Sequence, residues 1–258
     1  MRALWTGSIS FGLVNIPVRL LSASKERALK FKMLDKRDLS PIHFERVSEK
    51  AMRAVPQKDI VKGYEVNSGE FVVLDEEDFR AADAKRTDTM EITSFTDPAS
   101  IEPKYFDTPF YIEPQKKSAK AYALLRDALK KSGQVAVVRY VMRERERIGA
   151  LFPEGRAILL DQLRFQDEIK APDDLDLPAG GYSEREMEMA LALVKELDKP
   201  FDPGAFKDTY ADALRRIIKE KSKGRTPRAH AKPAPKPTEV SDILEMLKRS
   251  LAQESAAR

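Results

Sequence analysis

Cysteine is absent from the 258 residues, and histidine occurs only at His43 and His230. Those shortages leave disulfides, Cys–His nucleophile pairs, zinc fingers and histidine-based metal centres poorly supplied. Phosphate-cradling and catalytic patterns are missing as well: the chain holds no GxxxxGK[ST], GxGxxG, HExxH or GxSxG. Ser22-Ala23-Ser24-Lys25 matches the SxxK pattern of penicillin-recognising acyl transferases, but a KTG element is lacking and Ser22 ends a strand-like stretch. No cofactor and no catalytic residue are therefore expected. A long hydrophobic run is also wanting. Ala3 to Val18 is uncharged, yet Ser8, Ser10, Asn15 and Pro17 interrupt it, and Ile9, Phe11 and Leu13 alternate with polar or small residues in a strand period. The stretch is too short to span a bilayer, and a cytoplasmic location is expected.

What the chain does have is charge. Hydrophobic residues make up 42%, enough for one substantial core, while 34% of the residues are charged. The net charge of +4 hides an uneven distribution. Residues 1–62 hold 13 basic against 6 acidic residues, 63–114 hold 4 against 13, and 115–170 hold 13 against 7. Screening lengths of about 8–10 Å mean that an approaching polyanion senses the local block and not the average.

Period-two alternation predicts short strands over much of residues 1–114: Leu29, Phe31 and Met33; Ile42 and Phe44; a buried strand at Phe71 to Leu74; Met90 and Ile92; and Thr108 to Glu113. The segment from Asp75 predicts a short helix whose acidic first turn suits the positive end of the helix dipole, which accounts for the four carboxylates Asp75 to Asp78 without a metal. A longer helix is predicted from Ser118, closed by Lys130, Lys131 and Gly133. Gln134 to Met142 reads as a strand buried on both faces, in which Arg139 needs a partner or a solvent opening. Arg143, Arg145 and Arg147 follow on one face with Glu144 and Glu146 on the other, before strands at Ile148 to Phe152 and Ala157 to Leu160. The fold class is mixed α+β, with a mostly antiparallel barrel.

From Ser183 the period lengthens to about 3.6. Met187, Ala190, Leu191, Val194 and Leu197 form one stripe after a Ser183–Glu186 capping box, and Asp202-Pro203 opens a second helix with Phe206, Tyr210, Leu214 and Ile217. After Lys221 the stretch SKGRTPRAHAKPAPKP carries five basic residues, four prolines and no acid, the composition of a flexible basic linker. Val240, Ile243, Leu244, Leu247 and Leu251 then fall at helical spacing, a short amphipathic segment suited to a partner's groove. The expected organisation is a barrel over 1–182, a helical arm over 183–221 and a basic tail over 222–258.

The opening MRALWTGSISFGLVNIPVRLLSA resembles the N-terminal signature of the bacterial Ku family. The likeness continues through GYEVNSGEFVVLDEEDF, FDTPFYIEP, KAYALLRDALKKSGQVAVVRYVMRERERIGAL and PDDLDLP, in collinear order over roughly residues 1–220. Many relatives carry a cysteine pair near RVSEKAMRAV, where this chain has none. The resemblance implies a Ku-type β-barrel with bridging loops, and a non-enzymatic homodimeric ring that binds double-stranded DNA ends without regard to sequence. It further implies an ATP-dependent end-joining DNA ligase as partner and association with the nucleoid. The alternatives are a metal-dependent nucleic-acid-processing enzyme and a general chromosomal architectural protein. For the DNA channel the basic blocks nominate Lys25, Arg27, Lys30, Lys32, Lys36, Arg37, Arg46, Lys116, Lys117, Arg143, Arg145 and Arg147, with Lys85 and Arg86 from the acidic block. Lys223, Arg225, Arg228, Lys232 and Lys236 are the DNA-binding candidates of the tail, and the terminal apolar stripe is the candidate ligase contact.

Overall fold

Alternation of buried and exposed side chains shapes the first hairpin. In the computed structural model, which describes residues 2–25, 29–82, 88–178, 180–225 and 245–250, β1 (Trp5–Phe11) and β2 (Val14–Ser22) pair antiparallel. Gly12 supplies the positive φ of the tight turn between them. Ile9, Ile16, Val18 and Leu20 point inward and are fully buried.

An insertion follows. Within it, β3 (Lys62–Asn67) and β4 (Glu70–Leu74) form a two-stranded ribbon, and α1 (Glu76–Ala82) comes next. Two expectations fail here. Residues 29–44 form no strand, only an isolated bridge between Leu34 and Pro41, matched further on by one between Val47 and Ala54. The alternation of Phe31, Met33, Ile42 and Phe44 is real, but no neighbouring strand lies beside them and all four are exposed. Phe71 to Leu74 is a strand yet is not buried: Phe71, Val72 and Val73 are exposed, because nothing among the described residues covers the ribbon.

The remaining strands close a barrel. β5 (Thr89–Thr96), β6 (Phe106–Pro114), β7 (Val135–Met142), β8 (Arg145–Glu154) and β9 (Ala157–Leu163) join the first two in the order β1-β2-β6-β9-β8-β7-β5. Every pairing is antiparallel except β1 with β5, which is parallel and seals the cylinder. Closure removes unpaired edges. It also needs Gly7, where a Cβ would meet the Asp88 carbonyl at 2.2 Å and the Trp5 ring at 2.4 Å. Met90, Phe110, Ile112, Val138, Tyr140, Leu151, Ile158 and Leu160 fill the interior.

The register defines two barrel ends. At one, β2, β7 and β9 finish and β6 and β8 begin; at the other, β6 and β8 finish. The insertion over residues 23–88 leaves from the end of β2 and returns to the start of β5, so both its roots lie at the first end. Packed against the second end is α2 (Ala119–Ser132), the helix read from the sequence, with Tyr122, Leu125 and Leu129 buried and Gly133 as its left-handed C-cap.

A second unit, Pro172–Arg258, holds α3 (Glu184–Leu197) and α4 (Thr209–Lys221). The Ser183–Glu186 capping box is present. The second helix starts later than expected: Asp202 and Pro203 make a separate 3-10 turn over Pro203–Ala205, and Asp208 caps α4 through the Ala211 N–H. Met187, Leu191, Val194 and Leu197 of α3 are exposed. Among the described tail residues, 245–250 are helical.

The Tyr122 hydroxyl stitches α2 to the barrel, donating to the Ile112 carbonyl at 2.8 Å and accepting from the Ile158 N–H at 2.7 Å. Tyr122→Phe would strand two backbone groups in the interior. A loss of about 1–3 kcal/mol is expected in a urea titration.

Candidate nucleic-acid interface

The end of the barrel from which the insertion emerges gathers cations from two parts of the chain. Arg143 and Glu144 both take positive φ, at 53° and 60°, and form the two-residue turn that reverses β7 into β8. This interrupts the single alternating face expected for Arg143, Arg145 and Arg147. Arg143 projects from the turn, and Arg145 stands exposed at the first position of β8.

Arg147 behaves differently. The register sets it opposite Tyr140, on the inner row of the barrel, and its Nε is buried with no hydrogen-bond partner. Beside it a polar chain crosses the interior: the Tyr140 hydroxyl donates to Gln162 Oε1 at 3.3 Å, and Gln162 Nε2 donates to Asp107 Oδ2 at 2.8 Å. Arg164 Nη2 then donates to Asp107 Oδ1, also at 2.8 Å. Burial pushes the Tyr140 phenol well up, with the Arg147 charge acting in the opposite direction. Arg139 lies at an exposed position of β7, which is therefore not buried on both faces, and it pairs with the outward-facing Glu146 at 3.3 Å.

On the insertion, Lys25, Lys30, Lys32 and Lys36 are exposed. Arg37 is engaged by Asp35, with Nη2 2.6 Å from Oδ2, and this holds the Asp35 carboxyl below its ordinary range. Arg46 donates to the Gln57 side chain. Sequence reading passed over Lys50, Arg53, Lys58 and Lys62, which sit exposed in the same basic block. Lys62 links the two groups of cations: its Nζ lies 4.3 Å from the centre of the Phe79 ring and 3.9 Å from Glu144 Oε2 in the β7–β8 turn. Arg27, Lys85 and Arg86 lie outside the described residues.

Lys116 and Lys117 do not join this group. They follow the last residue of β6 and therefore sit at the opposite end of the barrel. The ten residues of β8 measure that distance; at about 3.3 Å per residue it is roughly 30 Å. In the tail, Lys223 and Arg225 are exposed, Arg225 lies 3.4 Å from Glu220, and Leu247 is half-buried. Arg228, Lys232, Lys236, Val240, Ile243, Leu244 and Leu251 fall outside the described residues.

The acidic run has a structural use. Asp75 Oδ1 accepts from the N–H groups of Glu77 and Asp78, and Asp78 Oδ2 accepts from the Asp75 N–H, which caps α1. Among the described residues no three His, Cys, Asp or Glu side chains are grouped to hold a metal ion, and no helix is long and apolar enough to cross a membrane.

Comparison with known families agrees with the closed barrel. The model of the Ku70/Ku80 beta-barrel domain matches residues 10–189. The chain belongs to the Ku family. It is 42% identical to the non-homologous end joining protein Ku of Opitutus terrae over 99% of this chain and 93% of that protein. The protein of the same name from Pseudomonas aeruginosa is 37% identical over 97% and 88% of the two chains, and that of Archaeoglobus fulgidus 39% identical over 87% and 90%.

Asp161, on β9, gives this region a pH dependence. Its Oδ1 is buried without a partner, and burial holds the carboxyl above its ordinary range, with the Asp107 charge adding to the shift and a backbone hydrogen bond from Asp107 opposing it. A raised carboxyl pKa means that the ionised form costs stability in the neutral range, and that the cost lifts as pH falls through the folded-state value. Asp161→Asn should raise the melting temperature at neutral pH, and the advantage should shrink steadily in the acid range. Scanning calorimetry across pH reads both arms.

Proposed function

We propose that the protein is a non-enzymatic factor that binds double-stranded DNA ends in non-homologous end joining. The observation that carries this reading is that the basic first part of the insertion, residues 23–62 with 11 basic against 6 acidic residues, is rooted at the same barrel end as Arg143 and Arg145, in a chain whose relatives bear the name of that repair pathway. Lysine and arginine on an exposed insertion meet phosphates, which carry no sequence information, so any break is accepted. Glu65, Glu70 and Glu144 are the carboxylates of the ribbon and the β7–β8 turn, and no three acidic or histidine side chains are grouped to hold a metal ion among the described residues.

The working form is a homodimer that encircles the duplex. Phe31, Met33, Phe44, Val61, Phe71 and Val73 are exposed on the insertion, more apolar surface than a lone soluble chain leaves uncovered. A two-fold partner would cover it, and one chain then furnishes both halves of a ring. Obligate interfaces of this kind bury on the order of 2,000–5,000 Å². Sedimentation at micromolar concentration should show a dimer, and a stable monomer would count against the ring.

The tail cations Lys223, Arg225, Arg228, Lys232 and Lys236 add non-specific affinity for flanking DNA. The apolar stripe of Val240, Ile243, Leu244, Leu247 and Leu251 is the place to seek an ATP-dependent end-joining ligase, which would take it as a helix in a groove.

End binding is tested by comparing open linear duplex with closed circles of the same sequence. The protein should retain the former and release the latter. Arg143→Gln combined with Arg145→Gln should weaken binding equally on all sequences and flatten the dependence of log K on log salt by about 1.8, since each phosphate neutralised contributes about 0.9. Unchanged affinity and slope would remove both arginines from the interface.

A further inference from the structure

The far end of the barrel carries a basic cluster of its own. Lys116 and Lys117 form the 3-10 turn between β6 and α2, and Lys120 lies one helical turn further on, all three exposed. Their backbone is held firmly: the Gln115 N–H donates to the Pro17 carbonyl at 2.9 Å, and the Ser118 hydroxyl donates to the same carbonyl at 2.7 Å.

The acidic residues nearest in sequence to this cluster have other partners. Glu113 pairs with Arg19 at 2.9 Å and Asp127 with Arg126 at 2.8 Å, whereas among the described residues none of Lys116, Lys117 and Lys120 has a carboxylate within ion-pair distance. Nothing among the described residues accounts for three cations here. The first turn of α2 holds no acid, and positive charge at that position opposes the helix dipole. Charges that work against the local structure and meet no partner within it are directed at something outside.

We propose that Lys116, Lys117 and Lys120 form a second contact for the DNA backbone, one that holds a duplex other than the one engaged at the insertion end. Lysines are point charges without the planar fork that reads base edges, so the contact is to phosphate and indifferent to sequence. Side chains one helical turn apart, about 5–6 Å at Cβ, suit neighbouring phosphates of a single strand. The roughly 30 Å between the two basic clusters is several screening lengths, so occupation of one leaves the potential of the other intact. A dimer would present two such faces, each able to hold a second broken end beside the first.

The inference rests on the end-binding reading for its ligand class, and the test separates the two. Full-length protein is loaded on a biotinylated short duplex fixed to beads, and a fluorescent duplex is then offered at rising salt. The comparison is with Lys116→Ala, Lys117→Ala and Lys120→Ala combined, substitutions at exposed positions whose folding is confirmed by melting. First-duplex affinity should stay within about twofold of wild type, while captured fluorescent duplex falls roughly tenfold and its salt slope flattens by up to about 2.7. Unchanged capture would overturn the second site alone and return these lysines to the solvated surface. Equal loss of both duplexes would also overturn it, placing the lysines in the primary contact. A wild type that retains no first duplex would overturn the end-binding reading, and the ligand class with it.

Discussion

The parallel pairing of β1 with β5 is the constraint on which the other features depend. It is short, running from Ser8 opposite Thr89 to Ser10 opposite Glu91, and a hydrogen bond of 2.8 Å from the Ser8 N–H to the Asp88 carbonyl extends it. Trp5 locks the seam by donating from Nε1 to the Val141 carbonyl at 2.9 Å and standing edge-on to Tyr140. Only a glycine at position 7 lets the ring lie there. Because the strand before the insertion and the strand after it flank β1, sealing the cylinder also brings the insertion's two roots together. Without that seam β5 would be a free edge at the far side of the sheet from β1 and β2, and the two roots of the insertion, at residues 22 and 89, would be held apart.

Much of the architecture was legible because it rests on local chemistry. The Ser183–Glu186 box, Gly133 after a run ending in two lysines, and the alternation in the first hairpin are each decided within a few residues, and each appears in the structure. The misread stretches depend on what lies next to them. Phe31, Ile42 and Phe71 have the pattern of buried strands, yet an alternating pattern only says that one face seeks cover and not that the same chain supplies it. Likewise Asp202-Pro203 is a good helix start on paper, but Gly204 and the turn it permits come first, and Asp208 takes over the capping.

Charge was the least faithful guide in space. The basic block over residues 1–62 stays together because the insertion is one continuous excursion, whereas the block over 115–170 is cut apart by a strand reversal that sends Lys116 and Arg145 to opposite ends. Arg147 shows the same effect at finer grain. Two residues from Arg145, and indistinguishable from it in sequence, it lies half-buried on the interior row beside Tyr140, with its Nε shut away from the solvent. Counting charges along a chain measures composition; only the register says which of them a polyanion can reach.

The strand order also bears on how the molecule is made. β9, the last strand to be synthesised, is not an edge added at the end but a stave that slots between β6 and β8. The barrel therefore cannot close on a ribosome until residue 163 has emerged, although the insertion that it anchors has been in the open since residue 88. At synthesis rates of about 5–20 residues per second, that interval lasts several seconds. Throughout it the exposed apolar ribbon has no finished scaffold behind it, so neighbouring nascent chains on one message become its nearest candidates for cover.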